Sequence, residues 1–307
     1  MNLRNRLLFL LLLLPAGVAA APDNQTQPAA ETAPRDFGDY FYLQRKYNLA
    51  GGEFEKALVQ ARNSERPTEM LRAKLALSLM RQRKYNESLR HLDERHPFAL
   101  LFLRMYASLR VGYIDTVRRD REYARTNASL RPRQKDLVDL LAGTVLLERA
   151  QYEAAWEHYD RLQKETQDEE VRAVAGGVLT SMKAFEDRPR KSQWLAGFFS
   201  ALLPGSGQWY AGHEVDGLVA FFFNAFFIGS AVALYDLERA ADRPHTASGV
   251  FGVVGLFFYI TNIAGAVASA RRYNIYQERV FQQEVRDRFF NADFVERNSG
   301  VQFRMKF

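Results

Sequence analysis

Pro204-Gly205-Ser206-Gly207-Gln208-Trp209-Tyr210-Ala211-Gly212 is a glycine-rich polar turn set between strongly apolar runs. Proline halts a helix and glycine permits sharp turning, so the stretch marks a point where backbone breaks off within or beside an apolar phase. Upstream, the 11 residues Gln193 to Leu203 are apolar but too few to cross a bilayer, which takes about 20. Downstream, Gly217 to Leu234 has 18 residues without a charge and Gly249 to Ala270 has 22. These lengths predict two transmembrane helices. Both are apolar around their whole circumference, and the remaining chain is too small to cover them as core helices.

Within the runs, Gly229, Ser230 and Ala233 on one side and Gly252, Gly255, Gly265, Ala266 and Ala268 on the other predict a tight hairpin. Asn224 and Asn262 are polar within the apolar stretches and each needs a partner there. Bonding to one another is one reading, and a functional polar site is the other. Trp209 and Tyr210 read as anchors at the membrane interface. Residues 193–211 form either a re-entrant or interfacial segment or a third span. The first gives two full spans and returns the C-terminus to the starting side, and it is the reading adopted. Arg271 and Arg272 favour three spans, whereas Arg188, Arg190 and Lys191 speak against a periplasmic start.

The mean hydropathy of −0.31 averages a polar middle and an apolar last third of the 307-residue chain. Residues 1–21 carry Arg4 and Arg6, the run Leu7 to Leu14, and Ala19-Ala20-Ala21, which reads as a secretory signal peptide. Residues 22–37 are proline-rich and polar and predict a disordered leader. An exported chain without cysteine relies on no disulfide, which favours a bacterial periplasm. The net charge of +6 is too small an excess to argue for nucleic acid.

From 38 to 187 the pattern is helical, and a phrase recurs: Gly52 to Leu58, Arg83 to Leu89, Val111 to Val117 and Ala150 to Trp156. Each has an aromatic residue (Phe54, Tyr85, Tyr113, Tyr152), a small residue three later and a large apolar residue after it. Such a phrase forms an apolar ridge that one helical pair cannot bury alone. The phrase, at intervals of 31, 28 and 39, resembles degenerate tetratricopeptide repeats. That resemblance implies an all-α helical-repeat solenoid whose second helices open on the phrase and whose first helices line a concave groove. The candidate first helices are 39–49, 68–82, 98–110 and 135–149, with a cap at 168–186. Residues 104–135 hold nine basic side chains against three acidic, and 136–170 hold three basic against ten acidic. Salt bridges between neighbouring units are the simplest reading, and contact with anionic lipid or an acidic partner the alternative.

The turn at 204–212, followed at once by a long apolar helix, resembles the P-G-x-G-Q-x-Y-x-G element of small bacterial membrane domains of unknown function. It is also similar to the glycine and tyrosine turn of the domain family named for its two transmembrane helices, although Gln208-Trp209-Tyr210 stands where that family carries a histidine and an aromatic pair. The expected membrane domain is 192–272, and 273–307 is expected as a polar amphipathic helix to about Phe290 and a docking tail. Pro204, Gly205, Gly207, Gln208, Trp209, Tyr210, Gly212, Asn224 and Asn262 are the candidate membrane site. No catalytic, cofactor or metal constellation is read: the five histidines make no H-x-x-x-H pair, and Ser206 lies outside a G-x-S-x-G motif. Glu153, Glu157 and Asp160 share a helix face that is read as solvated. The function expected is a non-enzymatic scaffold on the bacterial inner membrane, with its repeat domain in the periplasm and a protein or peptide partner in the envelope. The alternative is a membrane domain that handles lipid or peptide, with the repeats as accessory.

Overall fold

The computed structural model describes residues 37–64, 67–92 and 97–304. The expected signal peptide, and all of the leader except Phe37, lie outside the described residues. Every described element is a helix. Residues 37–186 form α1 (Phe37–Leu43), α2 (Tyr47–Asn63), α3 (Glu69–Arg81), α4 (Tyr85–Leu89), α5 (Phe98–Val111), α6 (Ile114–Thr126), α7 (Pro132–Glu148), α8 (Tyr152–Glu165) and α9 (Glu169–Glu186).

Four of these connections share one turn. Arg45, Arg83, Gly112 and Ala150 each end a helix at positive φ, 58°, 61°, 88° and 54°. Each is followed by a residue near φ −85°, ψ 60° that opens the next helix: Lys46, Lys84, Tyr113 and Gln151. Only one of the four is glycine, so three side chains accept a left-handed backbone that costs about 1–2 kcal/mol. The first helix predicted at 39–49 is corrected here: Arg45 breaks it, and α2 starts at Tyr47. The phrase at 52–58 therefore lies inside α2, where Phe54 is buried beneath Gly38. Its true counterpart is Gln44-Arg45-Lys46-Tyr47-Asn48, which repeats residue for residue as Gln82-Arg83-Lys84-Tyr85-Asn86. The other three phrases straddle the turn and the opening of α4, α6 and α8.

Each helix packs on the next, and α3, α5, α7 and α9 also pack on one another in succession, forming an inner layer. Its core is Leu100, Leu101, Phe102, Leu103, Leu137 and Leu141, all 1% exposed or less. The opposed charge blocks meet as expected, with Arg121 on Asp139 at 2.6 Å and Arg133 on Asp168 at 2.6 Å and Glu170 at 3.1 Å.

The rest of the chain leaves this body and returns to it. α10 (Gln193–Leu202), α11 (Ser206–Tyr210) and α12 (Glu214–Ala240) lead to α13 (Thr246–Phe289), one unbroken helix of 44 residues and about 66 Å, and then α14 (Ala292–Ser299). α12 and the first half of α13 are long and apolar enough to cross a membrane, and only 11% and 17% of their most apolar windows are buried. That low burial excludes a core role within this fold. They meet through aromatic rings, Phe227 on Phe258 at 4.9 Å and on Phe251 at 5.8 Å. The two helices pack closely, with Gly255 against Phe227 and the Ile228 backbone, whereas a Cβ on Gly229 or Gly252 would meet nothing, so those two glycines are not part of the contact.

The polar segment expected at 273–290 is the continuation of α13, and it lies on the inner layer. Phe281 stacks on Phe185 at 4.3 Å, Gln282 Nε2 donates to the Leu147 carbonyl at 2.9 Å, and Arg286 pairs with Glu148 at 2.9 Å. Burial raises the Glu148 carboxyl above its ordinary pKa, and Arg286 opposes that shift. α14 then crosses α5 and α3, where Arg81 binds both Asp293 and Glu296. Tyr42 Oη donates to Glu296 at 2.7 Å. The docking tail docks: Phe303 lies flat on Tyr42, ring centroids 3.6 Å apart, and the Arg304 amide donates to Asp39 Oδ2 at 2.9 Å. Asp39 is itself buried and ion-paired to Lys74 at 2.6 Å. The face lined by the first helices is therefore covered by the chain's own residues 278–304, which corrects the expectation of an open groove there.

Phe303 joins α1, α3 and the tail in one contact. Phe303→Ala is expected to lower the stability of the helical domain by about 2 kcal/mol, read as the thermal midpoint by circular dichroism in detergent.

Candidate functional site

α10 begins at Ser192, whose hydroxyl caps the helix by accepting from the Leu195 amide at 3.3 Å. It is about 15 Å long and stops at Leu203. Gly205, at φ 91°, turns the chain into α11, so 193–211 is a broken pair of short helices rather than one continuous span. The two ends of the pair lie at one level. Tyr210 Oη accepts from the Ser192 amide at 3.0 Å, and Lys191 lies over the Tyr210 ring at 4.7 Å. At the same level Lys191 and Asn274 exchange two hydrogen bonds of 2.9 Å. The tip lies about 18 Å further along α13, beside Asn262.

Breaking a helix leaves backbone groups without partners, and here the side chains supply them. Asn262 Oδ1 accepts from the Gly205 amide at 3.2 Å, and its Nδ2 donates to the Ser200 carbonyl at 3.3 Å. Ser200 Oγ accepts from the Gly207 amide at 3.1 Å and donates to Gln208 Oε1 at 2.9 Å. Gln208 Nε2 donates to Asn262 twice, at 3.0 Å to Oδ1 and 3.1 Å to the carbonyl. Ser206 Oγ serves the Phe199 and Leu203 carbonyls, and Tyr259 Oη donates to the Ala201 carbonyl at 2.6 Å. Ser200, Gln208 and Asn262 are 0%, 4% and 6% exposed, so the network is closed to solvent and its donors are in use. A closed set of amides and one hydroxyl holds no titratable group, and what it does chemically is satisfy a broken backbone.

The glycines are where the backbones touch. A Cβ on Gly205 would lie 2.1 Å from the Gly217 carbonyl oxygen, and one on Gly207 would lie 1.9 Å from that of Ala196. Gly212, at φ 78°, faces open space and serves only the turn into α12. Pro204 occupies the turn before Gly205 and is half-buried. Trp209 is exposed, and its Nε1 donates to the Glu214 carbonyl at 2.9 Å. Tyr210 is not a free anchor, since it packs with Ala196, Ala211, Ala266 and Ala270.

Of the nine residues singled out from the sequence, Gly205, Gly207, Gln208 and Asn262 come together in one network. Asn224 does not join them. Its Nδ2 donates to the Ala220 carbonyl of its own helix at 2.8 Å, and its buried Oδ1 has no partner, so the mutual Asn224–Asn262 bond is corrected. Asn262 has nearer partners in the broken turn. The two asparagines line opposite walls of a cleft of about 360 Å³ with Asp216, Phe223, Phe258 and Thr261. Ser200 and Tyr259 were missed by sequence reasoning. Ser200 carried a signal, as a polar residue inside the run Trp194 to Leu203. Among the described residues no group of three or more His, Asp or Glu side chains is placed to hold a metal ion.

Substitution separates network from scenery. Gln208→Leu or Asn262→Leu is expected to lower stability by about 1–3 kcal/mol by stranding the Gly205 amide and Ser200. Gly207→Ala should do at least as much through its backbone clash, whereas Gly229→Ala, in open space, should leave the thermal midpoint unchanged. No family model matches the chain, and no curated protein or solved structure does either.

Proposed function

We propose that this chain is a membrane-anchored helical scaffold of the bacterial cell envelope, which holds a protein-binding surface at a set height above the inner membrane. The observation that carries the reading is α13, which continues without a break from the apolar hairpin into the inner layer of the helical domain. An anchor on a flexible linker would leave the domain free, whereas this one sets both its height and its orientation. The tetratricopeptide-like reading of residues 38–187 is supported by the shared turn and the repeated pentapeptide. Because the inner face is occupied, the surface offered to a partner is on the outer helices.

The alternative, in which the membrane part handles lipid or peptide, loses ground because Gln208 and Asn262 satisfy each other and the turn. Their burial suits a break at membrane depth, where irregular backbone is tolerated only inside protein. If α12 and α13 both cross, the helical domain and residues 273–304 share one side, and α10–α11 is a re-entrant pair reaching from that side.

Placement in the periplasm rests on the signal peptide. Arg188, Arg190, Lys191, Arg271 and Arg272 then lie on the periplasmic side, against Arg239 and Arg243 on the other. By the positive-inside rule Arg271 and Arg272, at the end of a span and ahead of a short tail, count against this placement, and Arg239 and Arg243 count for it, so the signal peptide decides it. Reporter fusions after Asp242 and after Phe307 are expected to report cytoplasm and periplasm respectively. Two like results would remove the two-span topology, and the reversed pair would move the domain to the cytoplasm. The scaffold reading is tested by a photo-crosslinker on exposed outer positions such as Tyr123 and Tyr113 in living cells. A discrete protein adduct is expected; none at any outer position, together with rescue of a deletion strain by 192–307 alone, would overturn it.

A further inference from the structure

The helical domain carries a concave site between α8 and α9, bordering α13, a cleft of about 630 Å³. Its apolar lining is Tyr152, Trp156, Met182 and Phe185. Trp156 is 41% exposed, so a large indole stands open in a hollow instead of being folded into the core. Three carboxylates line the same hollow: Glu153, Glu157 and Glu186.

These carboxylates differ from many others on the domain. Glu148, Glu170, Glu284 and Asp287 are each held by an arginine, and Asp160 by Lys164. Glu153, Glu157 and Glu186 are exposed and have no ion pair or hydrogen bond in the fold. Arg190 is the cation of the lining, and its guanidinium lies over the Phe185 ring at 5.9 Å. The hollow is thus apolar at its base, aromatic on one wall and net negative.

We infer that this cleft is the docking site for a short basic segment of a partner protein, with lysine or arginine alternating with apolar side chains. The inference deepens the scaffold reading and rests on it. Charge complementarity selects the cation, since uncompensated carboxylates attract Lys and Arg and disfavour acidic segments. The open indole suits a guanidinium on its face, and the base takes an aliphatic side chain. Height favours a protein over the bilayer at the base of the cleft, although its Arg190 edge adjoins Lys191 at the level of Asn274. Phe185 at the cleft stacks on Phe281, which lies about 16 Å along α13 beyond Ala270. A headgroup layer of about 5–8 Å does not reach that height.

The test uses the full chain in a neutral maltoside detergent and a fluorescein-labelled octapeptide of alternating Arg and Leu, read by anisotropy. A Glu and Leu octapeptide is the counter-probe. Saturable binding of the Arg probe is expected, weakened about tenfold by E153Q/E157Q and by W156A, and unchanged by E122Q on α6. Raising NaCl from about 0.05 to about 0.5 M should weaken it several-fold, as screening of exposed charge requires. All variants are at exposed positions, and thermal midpoints confirm that they fold. Equal binding of the Glu probe, or Arg-probe binding that ignores both cleft variants, overturns the inference. So does a dimer that E153Q/E157Q dissolves in sedimentation, which would assign the cleft to a second copy. Brominated lipid in nanodiscs that quenches W194F/W209F, whose one remaining indole is Trp156, would assign the cleft to the bilayer and overturn it too. Failure here with crosslinks still forming at Tyr123 or Tyr113 would leave the scaffold reading standing.

Discussion

The structure depends on the continuity of α13. A helix keeps its direction over tens of ångströms because each turn is hydrogen-bonded to the next, so a side chain at Asn262 and one at Phe281 are rigidly related. That relation is used twice. On the apolar half, Asn262, Ala266 and Ala270 receive the broken pair α10–α11. On the polar half, Phe281 and Val285, with Phe290 just past its end, complete the core of the helical domain. The helix thus ties the two together.

The broken pair illustrates how polar residues are tolerated in apolar surroundings. Asn262 and Gln208 are costly only if unpaired. Placed beside a helix break they are the donors and acceptors that the backbone lacks, and the break becomes admissible because of them. The small residues have a matching role, since Gly205, Gly207 and Gly217 let the backbones close to the distance at which those side chains reach. Asn224 shows the contrary case: without a break beside it, it falls back on its own helix and leaves one oxygen unused.

Much of this was legible in the sequence. Run length and absence of charge gave α12 and the apolar half of α13, and the proline with its glycines gave the turn. The bounds of α3, α5, α7 and α9 lie within three residues of those expected from apolar spacing, whereas the unbroken length of α13 and the presence of α14 were not expected. The expected first pair is offset because the aromatic of the phrase is not the repeating object, which is a left-handed residue before a helix start. Arg45 and Arg83 hide that signal, because neither is the glycine that normally announces it. The partner of Asn262 was beyond reach for another reason: its bonds run to residues more than 50 positions away, and no local pattern encodes them. The closing of α14 and the tail over the inner layer is non-local in the same sense.

The contact between Arg304 and Asp39 joins residues 265 positions apart, with both apolar helices lying in between. In a chain made from its N-terminus, the inner layer is synthesised first and completed last. Until Phe294 and Phe303 arrive, Tyr42 and Phe102 lack rings that cover them. A product that ends early therefore carries an uncovered apolar surface, as does one whose hairpin is not yet in place to bring the tail round. Exposed surface of that kind is what quality-control proteases and chaperones recognise. The closing of the tail thus gives the cell a physical distinction between a finished fold and an unfinished one.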